Sequence, residues 1–288
     1  MRYQFMRFPG GKSKVVTLSY DDGVRQDLRF SELLNKYGIK CTFNLNSHKM
    51  RGAGGLAPEE VKEYLLDKGH EIALHTNNHR APGTLRPIEA IQDILANRNE
   101  LEQTFGRIVR GMAYPDSGIR VITADTDYER IRHYLKDLDV AYARTLGGDN
   151  DSFRFPEDWY AWMPTAHHGN PQIFNYIEKF LALNPDDPEM RGTRRQPGLF
   201  YLWGHSYEFD RSDNGWEHIE KICERLAFQD NIWYATNMEI YEYVTAYRSL
   251  IYSADESRIY NPTLHTIWFD ADGKSYTIQP GETIVRPV

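Results

Sequence analysis

The sequence is poor in cysteine and has no excess of positive charge. Its 288 residues include 2 cysteines, Cys41 and Cys223, in apolar surroundings that suit small buried hydrophobic residues. This excludes a disulfide scaffold and a cysteine-rich metal site. Lysine plus arginine number 34 against 41 acidic residues, giving a net charge of -7. No surplus of positive charge can neutralise a phosphate backbone or an anionic lipid surface, so we expect neither nucleic acid nor a membrane as partner.

Long hydrophobic runs are also missing. No stretch approaches the roughly 18 uninterrupted apolar residues of a membrane span. The opening segment MRYQFMRFPGGKSK lacks the apolar run of a secretion signal. We therefore expect a cytoplasmic protein, or a secreted one if a leader has been lost from the sequence. Internal repeats are absent, and the sequence gives no indication of the oligomeric state.

Short apolar runs alternate with amphipathic stretches of helical period between residues 15 and 250. This order predicts a parallel sheet covered by helices. The seven strand candidates are 15–19, 41–46, 71–75, 110–114, 140–144, 199–205 and 231–236. Helices are predicted at 58–69, 87–105 and 171–183. Seven strand and helix units in one domain favour a barrel over an open sheet, although periodicity alone does not separate the two.

The last segment has a different pattern, in which polar and apolar residues alternate after Leu250. Turn signals recur at Asn261-Pro262, Asp272-Gly273 and Pro280-Gly281. We therefore predict a barrel domain at 1–251 and a short β-rich appendage at 252–288. The appendage is expected to cap an exposed edge or the barrel wall, with sugar binding as the alternative.

Two neighbouring carboxylates follow the first predicted strand. Asp21 and Asp22 stand in SYDDG, and Asp-Gly is common in tight turns whatever the function. The C-terminal end of a barrel strand is, however, where catalytic residues collect. Two carboxylates at that place can divide the chemical work, and the residues alone do not tell them apart.

Two histidines end the third predicted strand, in HTNNH. His75 and His79 are four residues apart, which places both rings on one side of a helical turn. Histidine is also common in polar loops, so the pair alone is a weak signal. Together with Asp22 it makes two imidazoles and one carboxylate, the number of protein ligands that leaves a catalytic zinc an open position for water.

These segments together resemble the polysaccharide deacetylase family, the NodB-homology group known as carbohydrate esterase family four. The resemblance rests on SYDDG, on HTNNH about fifty residues later, and on the late strand LFYLWGH that ends in His205. It implies an α/β fold, a distorted (β/α)7 barrel with a small C-terminal all-β appendage. It also implies a metal-dependent hydrolase that removes acetyl groups from N-acetylated or O-acetylated sugars.

The resemblance implies a role for each motif residue. Asp21 becomes the general base, and Asp22, His75 and His79 hold one divalent cation, Zn²⁺ before Co²⁺, Ni²⁺ or Mn²⁺. Such a cation lowers the pKa of bound water from ~15.7 towards ~7. His205 protonates the departing amine, a step that separates amide from ester hydrolysis. Read alone, His205 is equally an ordinary histidine at a strand end.

Two further family motifs are matched only in part. In RGMAYPDSG, Ala113 takes the place of the family's arginine and Asp116 that of its tyrosine. Because that arginine orients the base, another cation is needed, and Arg144 at the end of the fifth predicted strand could supply it or be a plain surface residue. The family's geometry suggests the amide of Asp116 for the oxyanion. We include the neighbouring Tyr114 among the candidates for substrate contact.

Aromatic side chains near a sugar site would pack their faces on C–H surfaces. The family's Asp-Trp pair is matched at Trp159, in DWYAW, without the family's earlier aspartate. Trp159, Trp162 and Trp203 are candidates for sugar contact, with core packing as the alternative. His167 and His168 could line the same cleft.

Three functions remain open at this level. The first is a deacetylase acting on a carbohydrate or a small N-acetylated substrate. The second is a hydrolase of the same fold acting on a small non-sugar amide, which the partial motifs keep open. The third is a catalytically silent carbohydrate-binding barrel. Asp21 beside a complete set of ligands argues against this third reading, because a binding module needs no base next to a metal.

Overall fold

Parallel strands with helices between them form most of the chain, and antiparallel strands lie near both of its ends. The computed structural model describes residues 3–50, 52, 54–123, 125–147, 149–187, 189 and 192–286, with the backbone alone for 192 and 193. Strands in this part of the chain are β1 (Gln4–Arg7), β2 (Lys14–Asp21), β3 (Cys41–Leu45), β4 (Glu71–Leu74), β5 (Gly111–Ala113), β6 (Tyr142–Arg144), β7 (Ala166–His167), β8 (Gly198–Gly204), β9 (Ile232–Tyr234), β10 (Ile251–Tyr252), β11 (Arg258–Tyr260), β12 (Ile267–Ala271), β13 (Lys274–Ile278) and β14 (Thr283–Val285). Helices are α1 (Gln26–Lys36), α2 (Ser47–Met50), α3 (Pro58–Glu60), α4 (Pro87–Phe105), α5 (Tyr128–Asp137), α6 (Ile173–Ala182), α7 (Gly215–Leu226) and α8 (Asn237–Arg248).

The main sheet is parallel throughout. Its strands follow the order β6-β5-β4-β3-β2-β8-β7, and β9 pairs with the first three residues of β2. Strand β2, KVVTLSYD, is buried at every residue. A parallel strand covered on both faces has no solvent side, which explains its nearly continuous apolar and β-branched sequence.

The sheet curls into a distorted barrel, and the segment before β7 bridges its two edges. The N–H of Trp162 donates to Ala143 O at 3.1 Å, and the carbonyl of Trp162 accepts from Thr145 N–H at 3.0 Å. A few residues later, β7 pairs with β8. The predicted (β/α)7 barrel is confirmed, and all seven strand candidates are strands of the sheet. The sequence missed β7, since a strand of two residues has no readable period.

The predicted helices agree with the structure to within a few residues. The segment 87–105 is α4, which ends at Gly106 with a left-handed φ of 61°. The segment 171–183 is α6, somewhat shorter than predicted. The segment 58–69 begins as α3 and continues as a π-helical turn at Val61–Leu66. No described helix combines the length and the apolar character needed to cross a membrane.

The C-terminal strands form two antiparallel sheets, β1-β12-β13 and β10-β11-β14. Asp272 and Gly273 join β12 to β13 with φ values of 51° and 79°, as a tight hairpin turn requires. Strand β1 also belongs here, since Gln4 pairs with Ala271. Local sequence patterns cannot reveal a pairing over such a distance. The division into domains 1–251 and 252–288 stays a prediction, and that boundary falls inside β10.

Two hydrophobic clusters hold the fold together. One lies between the sheet and its surrounding helices and includes Cys41 and Cys223, which are free and fully buried as the composition predicted. The other joins the opposite face of β2 and β8 to α8 and to residues of the C-terminal strands, such as Ile259 and Phe269. The appendage therefore shares a core with the barrel, which holds the strand ends in place.

Candidate active site

Five of the predicted site residues meet at the C-terminal ends of parallel strands. Asp21 is the last residue of β2 and Asp22 follows it, while His75 follows β4 and His205 follows β8. His79 lies on the loop after His75. Asp22 and His79 have left-handed φ values of 85° and 54°. Backbone strain of this kind in residues other than glycine is concentrated at functional sites, where the surrounding structure holds it.

The side chains of Asp22, His75 and His79 converge, and their ligand atoms lie within 4.8 Å of one another. Asp22 Oδ1 is 3.2 Å from His79 Nε2 and 3.9 Å from His75 Nε2. Within the described residues this buried oxygen accepts no hydrogen bond. The Lys49 ammonium lies 2.8 Å from the same oxygen, so Asp22 already attracts a cation, and two imidazole nitrogens beside this carboxylate fit a set of metal ligands.

Both histidines direct Nε2 towards Asp22, while Nδ1 of each ring faces another oxygen atom. His75 Nδ1 lies 2.9 Å from Ala113 O, so it carries the proton and leaves the lone pair of Nε2 facing Asp22. Burial lowers the pKa of His75 to about 4, which keeps the ring neutral. Nδ1 of His79 faces Asp116 Oδ1 at 3.5 Å, again leaving Nε2 free. Metal-bound histidines usually have such an outer partner for their second nitrogen.

Buried asparagines hold the loop that carries His75. Asn97 on α4 accepts the backbone N–H of His75 at 3.0 Å and donates to Leu45 O at 3.0 Å. Asn46 donates to the carbonyls of His75 and Thr76. Sequence reasoning missed both asparagines, because nothing in a helix or a strand end distinguishes a polar residue that supports a loop.

Arg144 and Asn44 surround Asp21. Arg144 donates from Nη2 to Asp21 Oδ2, and Asn44 donates from Nδ2 to Asp21 Oδ1 at 2.8 Å. Burial raises the pKa of Asp21, but the Arg144 guanidinium, followed by the His75 and His205 rings, outweighs it and holds the pKa below its usual value. Arg144 is fully buried and lies 4.8 Å from the ring centre of Trp203. It is therefore no surface arginine, and it stands where a cation orienting Asp21 is needed.

His205 lies between Asp21 and a carboxylate that the sequence analysis missed, Glu208. His205 Nε2 is 3.9 Å from Asp21 Oδ2, and its Nδ1 is 3.4 Å from Glu208 Oε1. Burial lowers the pKa of His205, but Glu208 and then Asp21 outweigh it, so the pKa is raised. The signal available in the sequence was the spacing of Glu208 three residues after His205, typical of a helical first turn.

Glu208 also contacts the two histidines of β7 and its following loop. Its Oε2 is 2.9 Å from His167 Nε2 and 3.3 Å from His168 Nε2, and these three residues form a second group with metal-ligand spacing. His167 Nδ1, however, accepts the N–H of Gly169 at 3.0 Å. The proton of a neutral His167 therefore sits on Nε2 and donates to Glu208, which indicates a hydrogen-bonded cluster rather than a set of ligands.

Two predicted substrate contacts, Trp162 and Tyr114, are wrong because both are core residues, whereas Trp159 is only partly buried and its sugar contact stays a prediction. Trp162 is fully buried against Tyr142 and Tyr201. Tyr114 is 1% exposed and donates its hydroxyl to a backbone carbonyl at 2.9 Å. Trp159 packs edge-on against Trp162 in the second hydrophobic cluster. Aromatic residues suit a core as well as a sugar site, and the sequence does not separate the two uses.

The structure places the other candidates at the site. Asp116 is exposed, adopts a left-handed φ of 49°, and faces His79. Trp203 lies over Arg144, with its ring centre 5.8 Å from that of His205. His205 also has Tyr207 beside it, at 5.1 Å between ring centres. Aromatic rings therefore flank His205, although they are not those the DWYAW segment suggested.

Residues 9–143 match a family model described as polysaccharide deacetylase. None of the curated proteins matches the chain significantly. This match covers the segment that carries Asp21, Asp22, His75 and His79, and it ends just before Arg144.

Solved structures share the fold at low sequence identity. A protein from Mycobacterium smegmatis provisionally assigned as a polysaccharide deacetylase has a TM-score of 0.55 at 16% identity, over 84% of this chain and 93% of its own. Puue allantoinase has a TM-score of 0.58 at 13% identity, over 82% of this chain and 91% of its own. A mutant of a CE4 family pseudoenzyme from Bacillus anthracis, with restored enzymatic activity, has a TM-score of 0.51 at 15% identity, over 82% of this chain and 70% of its own. At these identities the likeness shows the fold alone.

The family match and the distorted barrel agree with the resemblance that SYDDG and HTNNH indicated. Residues 9–143 are thus similar to the polysaccharide deacetylase family, and the chain as a whole shares the distorted barrel fold of the solved structures.

Proposed function

We propose that this protein is a metal-dependent deacetylase that removes acetyl groups from N-acetylated sugars. The proposal rests on the family match together with one observation, the convergence of Asp22, His75 and His79 next to Asp21 and His205. Asp21 Oδ2 lies 3.9 Å from His75 Nε2 and 3.9 Å from His205 Nε2. The proposed metal ligands, the proposed base Asp21 and the proposed acid His205 are therefore close enough to contact one substrate molecule.

The donor set suits a divalent cation, with Zn²⁺ as first choice and Co²⁺, Ni²⁺ or Mn²⁺ as alternatives. Two imidazole nitrogens and one carboxylate oxygen leave a coordination position open for water. The neutral His75 ring and the Asp22 carboxylate that converges with it and with His79 fit such an ion. A cation held there supplies Lewis-acid polarisation of the acetyl carbonyl and makes water acidic near neutral pH.

Asp21 acts as the general base in this proposal. Its lowered pKa keeps the carboxylate ionised well below neutral pH, so it is ready to accept a proton from the attacking water. The contacts of Arg144 and Asn44 fix both of its oxygens and prevent the side chain from turning towards Asp22. The two aspartates then have different tasks because, among the described residues, Asp21 is paired with a buried guanidinium and Asp22 with the partly exposed Lys49 ammonium.

His205 acts as the general acid. Its raised pKa increases the protonated fraction near neutral pH, and Nε2 faces the side of Asp21 on which the reaction would occur. An amine is a poor leaving group unless it is protonated, and general acid help is worth roughly 10²- to 10⁴-fold. A positioned acid favours amides over esters, and therefore N-acetyl over O-acetyl groups.

The rings of Trp203 and Tyr207 beside His205 support a sugar as substrate. Aromatic faces bind the C–H surface of a pyranose, and Arg144 behind Trp203 holds that ring in place.

A second candidate is the hydrolysis of a small non-sugar amide. It is favoured by the fold shared with Puue allantoinase, and by Ala113 and Asp116 standing where the family has arginine and tyrosine. The same ligands, base and acid would serve that reaction. Only the groups that surround the substrate would differ.

Acetate release separates these functions. The metal-loaded protein would be assayed with N-acetylglucosamine oligomers, O-acetylated sugars and a panel of small amides, with Asp21→Asn as the blank. Acetate from N-acetyl sugars, abolished in Asp21→Asn and after chelation, supports the proposal. Turnover of the small amides alone would favour the second candidate, and no metal-dependent turnover of any substrate would favour a silent barrel.

A further inference from the structure

Lys49 places a positive charge on the oxygen atom assigned to the metal. Its Nζ lies 2.8 Å from Asp22 Oδ1, the same atom that His79 Nε2 approaches to 3.2 Å. This oxygen is buried and, across the described segments, accepts no hydrogen bond with suitable geometry. The ammonium is therefore the group that neutralises Asp22 through a direct ionic contact.

The backbone of Lys49 is held firmly beside the ligand loop. Lys49 lies in α2, where Ser47 Oγ donates to Asn77 Oδ1 at 2.8 Å, in the HTNNH segment. On its other side Gly55 packs so closely that an added Cβ would lie 2.1 Å from the carbonyl oxygen of Lys49. The base of the side chain is thus fixed within reach of Asp22.

The ammonium end of the Lys49 side chain can move away from Asp22. The Lys49 side chain is 40% exposed, whereas that of Arg144 at the neighbouring Asp21 is fully buried. A lysine has a flexible four-carbon stem and a strongly hydrated head, so it can turn its charge to water at little cost. Among the described residues, Lys49 and Arg144 place side-chain cations on the aspartate pair, and the exposed Lys49 is the one that can be displaced.

A divalent ion bound to Asp22 Oδ1 would stand next to this ammonium. Two positive charges in contact with the same carboxylate oxygen, the ammonium and the metal ion, repel each other strongly in a partly buried site. The ion gains the attraction of Asp22 only after the contact of that carboxylate with Lys49 is broken. Without the ammonium, Asp22 would keep an unpaired buried charge until a metal arrived.

We propose that Lys49 and the divalent cation compete for Asp22, and that Lys49 thereby sets the metal affinity of the site. The inference rests on the proposed function, since it takes Asp22 as a metal ligand. Metal loading moves the Lys49 ammonium to the rim of the site. Metal release returns it to Asp22, so the site keeps its charge balance in both states.

Zinc affinity measures this competition directly. The dissociation constant for Zn²⁺ would be determined by competition with a chromophoric chelator for the wild type, Lys49→Met and Lys49→Arg. Lys62→Met is the matched control, since Lys62 is exposed on the π-helical turn and also loses one positive charge. We expect Lys49→Met to bind Zn²⁺ at least tenfold more tightly, while Lys49→Arg and Lys62→Met stay within about threefold of the wild type.

Thermal unfolding gives a second, independent measurement. In EDTA, Lys49→Met should melt below the wild type, and saturating Zn²⁺ should remove the difference. Unchanged or weaker Zn²⁺ binding by Lys49→Met, with normal binding by the wild type, would overturn the competition and leave the proposed function intact. A wild type that binds no Zn²⁺, Co²⁺, Ni²⁺ or Mn²⁺ would instead overturn the proposed function.

Discussion

Arg144 donates a hydrogen bond from Nη2 to Oδ2 of Asp21, and the two side chains are 0% and 3% exposed. Strands β6 and β2 are four strands apart in the sheet order, so the barrel's curvature brings them together. The pair supplies the cation that the RGMAYPDSG segment lacks. In the proposed function Asp21 is the base and Arg144 orients it from the end of β6, whereas the family motif has its arginine where Ala113 stands at the end of β5.

Replacing Arg144 should therefore raise the pKa of Asp21. In the wild type the guanidinium keeps Asp21 ionised at low pH, so Arg144→Met should move the acidic limb of the kcat/KM profile to higher pH. We expect a loss of about 10²-fold in kcat/KM at neutral pH, which the same profile measures. Arg144→Lys keeps the positive charge, so the acidic limb of its profile should lie between those of the wild type and Arg144→Met. An acidic limb that does not move would contradict the pairing as the cause of Asp21 ionisation.

Glu208 should act through His205. Removing its charge in Glu208→Gln should lower the pKa of His205, so the basic limb of the profile moves to lower pH and amide turnover falls about tenfold. Metal content should stay the same. Glu224→Gln, an exposed position on α7, is the matched control. Equal pH profiles for Glu208→Gln and the wild type would remove Glu208 from the mechanism.

Asn97 should support the metal site from outside the ligand set. It holds the backbone N–H of His75 and the carbonyl of Leu45, so Asn97→Ala releases the strand end that carries His75. Loss of such an outer contact typically weakens metal binding 10- to 100-fold. The Zn²⁺ dissociation constant measures this weakening, and Asn175→Ala, at an exposed position, is the control. Unchanged affinity would show that the loop keeps its shape without Asn97.

The sequence predicted the parts of the site that lie in short local motifs at strand ends. SYDDG and HTNNH pointed to Asp22, His75 and His79, which the fold brings together, because each motif follows a readable strand, and their role as ligands stays a prediction. Arg144 was predicted as one of two alternatives, since strand ends of a barrel converge. Glu208 and Lys49 were not predicted, because they come from loop and short helical segments whose positions depend on packing.

Aromatic residues and long-range pairings mark the limit of sequence reasoning here. Trp162 and Tyr114 resemble sugar contacts in the sequence, but both are core residues, because a large apolar ring gains the same free energy from either environment. The pairing of β1 with β12 likewise has no local signal. Periodicity predicted a parallel sheet covered by helices and the family resemblance implied the distorted barrel, whereas the residues that support the site from outside the ligand set depend on packing.

The buried Asp27 should make the stability of the fold depend on pH. Burial is the main cause that raises the pKa of Asp27 to about 7, although it accepts hydrogen bonds from Ser206 Oγ and Val24 N–H. The folded chain thus binds this proton more tightly than the unfolded chain. Its stabilisation is complete below the unfolded pKa of about 3.9 and is lost as the pH rises through 7.

Asp27→Asn has no proton to lose at this position. The wild-type free energy of unfolding, minus that of Asp27→Asn, should therefore fall by a few kcal/mol between pH 4 and 8, at about 1.4 kcal/mol per pKa unit. Denaturant unfolding in EDTA at several pH values measures this difference. A difference that is flat, or that rises with pH, would show that Asp27 is ionised in the folded chain.

Metal analysis of purified variants tests the central claim most directly. After chelation and reloading with Zn²⁺, the wild type and Asp21→Asn should each retain one equivalent, and Asp22→Ala and His75→Ala should retain none. Asp21→Asn should nevertheless release no acetate. One equivalent of Zn²⁺ in Asp22→Ala and His75→Ala, or an empty site in Asp21→Asn, would contradict the assignment of Asp22, His75 and His79 as the ligands and Asp21 as the base.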